Sequence, residues 1–111
     1  MTLDSEDQKI VTLARATRAR AGSDAGAAVR DTDGRTYAAA AVDLPSLQIS
    51  ALRLAVAMAA SSGVTGLEAA AVVSSGDVTD DDVAAVRDLG GTGLRVFVAD
   101  DDGSVTATLA S

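Results

Sequence analysis

The stretch Asp43–Gly63, DLPSLQISALRLAVAMAASSG, constrains the fold more than any other part of the chain. From Leu47 to Ala60 it carries one formal charge, Arg53, and Leu54 to Ala60 is unbroken apolar sequence. On a helical projection its apolar residues occupy every side. A helix of that kind is buried by neighbours on several faces. It is too short and too Ala-rich to span a bilayer, which takes about 20 strongly apolar residues. The expectation is the central helix of a small domain. Pro45 suits a pre-helical or first-turn position, Asp43 or Ser46 can cap the start, and Gly63 suits the left-handed position past the end.

Composition limits how the rest can pack around that helix. The chain has 111 residues, enough for one domain spanning 1–111. Its only aromatic residues are Tyr37 and Phe97, so the core is built from Ala, Val, Leu and Ile. Small side chains bury little area each, which points to self-association as a way to bury more. The formal charge of −7 repels phosphate backbones, and base-stacking platforms are missing, so nucleic acid is excluded as a partner. There is no Cys and no His, which removes disulfides, thiolate chemistry and every triad that uses imidazole. The start, MTLDSEDQKI, is polar and acidic, with no signal-peptide pattern. No membrane segment is expected, and the expected compartment is the cytoplasm.

The flanking segments read in order. Ser5-Glu6-Asp7-Gln8 has the form of a capping box, followed by a helix from about Glu6 to Ala21 that ends at Gly22. Ile10, Leu13, Ala14 and Thr17 form its apolar stripe. Gly26–Val29 and Arg35–Val42 flank Asp31-Thr32-Asp33-Gly34, a strong hairpin signal. After the central helix, Leu67–Val73 carries Ala-Ala-Ala-Val-Val, a continuous apolar run, as expected of a strand buried on both faces. Thr79 caps a third helix whose Asp80, Asp81 and Asp82 complement the helix dipole and whose Val83, Val86 and Leu89 face inward. Gly90-Gly91 stops it. Leu94–Val98 alternates like a strand, Asp102-Gly103 marks a second hairpin, and Val105–Leu109 alternates again. The order is α-β-β-α-β-α-β-β, which predicts a mixed five-stranded sheet with helices on both faces.

The candidate sites visible by spacing are weak. Asp80–Asp82 and Asp100–Asp102 lack the ligand spacing of a calcium loop and read as a helix start and a hairpin turn. Gly90-Gly91-Thr92-Gly93 follows a helix and precedes a strand, the wrong order for a phosphate cradle.

Gly26-Ala27-Ala28-Val29, Asp33-Gly34-Arg35-Thr36-Tyr37 and Ile49-Ser50-Ala51-Leu52-Arg53, at their observed spacing and in this element order, resemble the cytidine deaminase family. The resemblance covers nearly the whole chain. It implies a three-layer α-β-α fold and, in the family, zinc-dependent deamination. Family members hold zinc with a Cys or His at the start of the central helix, a catalytic Glu two residues on, and a Cys pair opening the next helix. The matching positions here are Ser50, Leu52, Thr79 and Asp82. The family's nucleoside-contacting N-x-E segment matches Ala41-Val42-Asp43, and a base-packing Phe falls in Ser23-Asp24-Ala25. Hydroxyls are poor zinc ligands, and a leucine cannot shuttle protons.

The expectation is therefore a non-catalytic, cytidine deaminase-like protein with no cofactor and no metal. It forms a homo-oligomer, dimer or tetramer, through the central helix, and acts on a protein partner or a small ligand. The alternatives are a nucleoside-binding module and a cytidine deaminase-related hydrolase using a non-standard site with carboxylates such as Asp43 or Asp82. Loss of the contacting Asn/Glu and Phe argues against the nucleoside-binding alternative, and a pocket filled by Leu52 and neighbouring Ala side chains would rule it out.

Overall fold

A computed structural model describes residues 3–111. Helix α1 spans Ser5–Ala21 and starts one residue earlier than its capping-box reading implies. Asp4, not Ser5, is the N-cap, and its Oδ1 accepts the Asp7 backbone N–H at 2.8 Å. Both residue types cap well, and an aspartate adds negative charge at the positive helix end. Gly22 closes the helix in the left-handed conformation (φ 63°), as its position past the arginines predicts.

The first hairpin follows, with β1 at Ala25–Asp31 and β2 at Thr36–Ala40. Asp31 organises its turn. One carboxylate oxygen accepts the backbone N–H groups of Asp33 and Arg35, each at 2.9 Å, and the other accepts the Tyr37 hydroxyl at 2.9 Å. Desolvation alone drives this buried carboxyl upward. The donors from Arg35, Tyr37 and Asp33 outweigh it and hold Asp31 below its ordinary value of 3.8. The same contact, first, and then burial push Tyr37 above its ordinary 10.0. The linkage has opposite signs at the two ends of the pH scale. The Asp31 contribution is complete above 3.8 and is lost as pH falls through the lower folded value. The Tyr37 contribution is complete below 10.0 and is lost as pH rises through the higher one. Urea midpoints measured across pH are expected to fall at both ends. Asp31→Asn should flatten the acid limb and Tyr37→Phe the alkaline limb; unchanged limbs would remove this contact from the account.

The segment preceding the central helix departs from expectation. Val42–Leu44 and Leu47–Ile49 are strands β3 and β4 of a separate two-stranded hairpin turning at Pro45-Ser46, with Leu44 opposite Leu47. Helix α2 begins only at Ala51 and runs to Ser61, and its cap is Ser50 rather than Asp43 or Ser46. A short apolar run fits periods of 2 and 3.6 equally well, and the Pro-Ser turn selects the strand pairing here. Nor is α2 buried all round. Ala51, Leu52, Ala55, Val56 and Ala59 face inward, while Arg53, Ala57, Met58 and Ala60 are exposed.

The remaining elements match their signals closely: β5 at Leu67–Ser74, α3 at Asp80–Gly90, β6 at Arg95–Ala99 and β7 at Val105–Ala110. The main sheet has the order β2-β1-β5-β6-β7 and is mixed. β1 is antiparallel to β2 and to β5, β5 is parallel to β6, and β6 is antiparallel to β7. Since β2 and β5 both oppose β1, they run in the same direction across α2. Both strand–helix–strand units thus join parallel strands, as their connections require.

Two apolar layers sandwich the sheet. On one face Ile10, Val11 and Ala14 of α1 meet Ala28, Ala71, Val73 and Phe97. On the other, α2 and α3 cover Ala27, Val29, Ala70, Val72 and Val96. The α1 layer also contains an ion network absent from the motif reading. Arg30, 8% exposed, reaches Asp7 at 3.1 Å and Glu68 at 2.9 Å. Among the described residues no helix is long and apolar enough to cross a membrane.

Candidate functional site

Two helix starts meet on the α2/α3 side of the sheet. Ser50 caps α2, and its Oγ accepts the Arg53 backbone N–H at 3.2 Å. Thr79 caps α3 in the same way, its Oγ1 accepting the Asp82 N–H at 3.2 Å. Asp82 returns the bond, because its Oδ2 accepts the Thr79 N–H at 3.0 Å and completes a capping box. The other carboxylate oxygen, Oδ1, accepts the Ser50 hydroxyl at 2.5 Å. Asp82 is 6% exposed. The structure thus brings Ser50, Thr79 and Asp82 into one network, although Ser50 and Asp82 lie 32 residues apart in the chain.

Leu52 does not face that network as a reactive group. It is 1% exposed and belongs to the apolar cluster that holds Ala27, Val29, Ala55, Val86 and Val96. The two segments matched to nucleoside contacts also meet. The Ser23 hydroxyl donates to the Ala41 carbonyl at 3.3 Å, and the Ala41 N–H donates to the Ala25 carbonyl at 3.1 Å. Serine and alanine occupy the junction, and Asp43 is exposed on β3. Neither segment offers an aromatic face or an amide side chain.

The donor set can be tested against zinc. Zinc takes thiolate, imidazole or carboxylate ligands. Here the network offers one carboxylate and two hydroxyls, and both carboxylate oxygens already accept hydrogen bonds. Among the described residues no group of three or more His, Cys, Asp or Glu side chains is arranged to hold a metal ion. The residues do not fit the metal. What the arrangement does chemically is neutralise two helix ends with one negative charge.

The other sequence-level candidates resolve as structural features. Asp80, Asp81 and Asp82 occupy the first turn of α3. Asp100 Oδ1 accepts the N–H groups of Asp102 and Ser104 at 3.2 and 3.1 Å, which shapes the β6–β7 turn. Asp101 pairs with Arg18, tying that turn to α1.

A mixed five-stranded sheet, one helix on one face and two on the other, with two helix starts converging beside it, defines a three-layer α/β protein of the deaminase type. A family model for cytidine deaminase-like proteins matches residues 3–103, and the chain belongs to that family. Among solved structures it is similar to cytidine deaminase from Burkholderia pseudomallei, at 21% identity over 100% of this chain and 92% of that one, with a TM-score of 0.79. Cytidine deaminase from Mycobacterium leprae aligns at 19% identity over 96% of this chain and 94% of that one, TM-score 0.75. A mutant cytidine deaminase from Mycobacterium tuberculosis aligns at 24% identity over 77% and 82%, TM-score 0.63. These likenesses establish the fold. A comparison with curated protein sequences finds no match.

Proposed function

We propose that this single-domain protein is a non-catalytic member of the cytidine deaminase-like family that works in the cytoplasm as a self-associating interaction protein. The observation that carries the reading is the burial of Leu52, 1% exposed, at the position matched to the family's acid/base glutamate. A side chain with no proton to give or take fills that place with core packing. The donor set of Ser50, Thr79 and Asp82 supports the reading independently, because it lacks the ligands needed to activate water on zinc.

The surface that supports self-association is the outer side of α2 and α3. A groove of about 430 Å³ runs between them, lined by Ile49, Val56, Ala57 and Leu89, with Arg53 and Asp88 also in its lining. Neither charge has an ion-pair partner among the described residues. About a twofold axis, Arg53 of one copy can face Asp88 of the next, so the surface is complementary to itself. Ala57 and Ala60 allow close helix approach, and Met58, 40% exposed, adds apolar area.

Two measurements test the proposal. Purified protein is expected to carry no stoichiometric zinc and to leave the ultraviolet absorbance of cytidine and deoxycytidine unchanged over hours. Zinc-dependent turnover would defeat the non-catalytic reading. Light scattering at tens of micromolar should give a dimer or tetramer mass, and Ala57→Glu should reduce it to the monomer with an unchanged circular dichroism spectrum. A monomeric parent protein, or a variant of unaltered mass, would rule out this face.

A further inference from the structure

The network at Ser50 and Asp82 joins two helices that otherwise meet only through apolar packing. Among the described residues, Ser50–Asp82 is the one side-chain hydrogen bond linking the α2 start to α3. Beyond it Val56 and Ala60 of α2 and Ala85 and Leu89 of α3 line an open groove between the helices. Small apolar side chains set a distance poorly, since they can slide without breaking a directional contact. A hydrogen bond between the two first turns fixes that distance at one end.

We propose that the Asp82 carboxylate ties the starts of α2 and α3 together, a metal-free cross-link at the position where the donor set rejects zinc. This rests on the non-catalytic reading of the same position. Three observations carry it. The Ser50 Oγ accepts the Arg53 N–H at 3.2 Å, and its O–H donates to Asp82 Oδ1 at 2.5 Å. Asp82 is held in place by the return half of the capping box, through Thr79 N–H at 3.0 Å, so swinging away would break that bond. Its burial, 6% exposed, limits the competition of bulk water for its oxygens. The electrostatics agree. Two helix N-termini present partial positive charge to the same point, and one carboxylate answers both. A divalent cation there would add charge of the wrong sign with a single anion to offset it.

Removing Ser50 outright also removes the α2 cap, so the decisive comparison keeps the cap. Asn and Asp cap helices about equally well, yet only Asn can donate a hydrogen bond to Asp82. Thermal unfolding of Ser50→Asn and Ser50→Asp should therefore differ at pH 7. Ser50→Asn is expected close to the parent protein. Ser50→Asp is expected to melt about 5–10 °C lower, as two carboxylates then face each other. In an Asp82→Asn background the gap should close or reverse, because the amide introduced at position 82 can donate to the carboxylate introduced at position 50. Added zinc chloride or chelator should shift the parent melting temperature by less than about a degree, against several degrees for saturating binding of a native-state ligand. Equal melting of the Asn and Asp variants would overturn the tie and leave Ser50 as a cap alone. Stabilisation of the parent by zinc would overturn the non-catalytic reading instead, so the two failures are distinct. If the Asp variant does not fold while the Asn variant does, the tie stands. If both fail, Ser50→Thr, which keeps the hydroxyl, should restore melting to near the parent value; a Thr variant that also fails overturns the proposal.

Discussion

Gly26→Val is expected to abolish folding. The reason is close approach, not backbone conformation, since Gly26 does not adopt positive φ. A Cβ at this position would lie 2.1 Å from the Ala14 carbonyl oxygen and 2.8 Å from both the backbone nitrogen and the Cβ of Arg18. Those atoms belong to α1, whose hydrogen-bonded turns cannot yield locally. The whole helix would have to lift off the sheet, taking Ile10, Val11 and Ala14 out of their core layer. A loss of more than about 4 kcal/mol follows, comparable to the whole stability of a small domain. Gly26→Ala should be nearly as damaging, because the clash is with Cβ itself. Gly90 makes a useful contrast. Its added Cβ would meet the Leu94 Cδ1 at 2.8 Å and the Leu67 Cβ at 3.0 Å, and at least the first of these can rotate away. Gly90→Ala is therefore expected to cost about 1–2 kcal/mol. Circular dichroism and urea titration of the two variants check this. A Gly26→Ala variant that melts within about 5 °C of the parent would refute the account of α1 packing.

The second large effect comes from Leu52→Glu. On a family alignment this looks like a repair, since it supplies the carboxylate that the deaminase pattern calls for. The structure makes it a lesion. The side chain is 1% exposed and belongs to an apolar cluster rich in alanine and valine. Burying an unpaired carboxylate is expected to cost about 3–5 kcal/mol, either as lost stability or as protonation. Leu52→Met, which conserves volume, should cost less than about 1.5 kcal/mol. Deamination of cytidine by the Glu variant is expected to remain absent, because Ser50, Thr79 and Asp82 still provide no zinc ligand set. A stable, active Leu52→Glu protein would contradict both the packing and the proposed function.

Much of the fold was readable because its signals are local. Asp33-Gly34 closes a hairpin since glycine tolerates positive φ, here 86°. Thr79 starts α3 and Gly91 follows its end, and each assignment needs only a few neighbouring residues. The unbroken apolar run in β5 announced a strand covered on both faces. The failures also have physical causes. Leu44-Pro45-Ser46-Leu47 lies beside a long apolar run, and short apolar segments do not reveal whether their period is 2 or 3.6. The all-round apolar character of α2 predicts burial on several sides. The monomer instead leaves Ala57, Met58 and Ala60 exposed, which is the surface assigned above to a second copy.

The candidate site divides along the same line. Which residue types stand at positions 50, 52, 79 and 82 is a property of the chain, and so is the lack of any thiolate or imidazole to bind zinc. That the Ser50 hydroxyl donates a hydrogen bond to Asp82, that Leu52 is enclosed by the core, and that Arg30 is held between Asp7 and Glu68 are not. Caps, turns and periodicity act over a few residues, so sequence alone determined the order of the three helices and the five main-sheet strands, and the chemistry available. Contacts between residues some 20 to 40 positions apart depend on how the helices seat on the sheet. Only the tertiary structure decided that a carboxylate opening one helix would meet the hydroxyl opening another, because packing, not local preference, brings those two ends together.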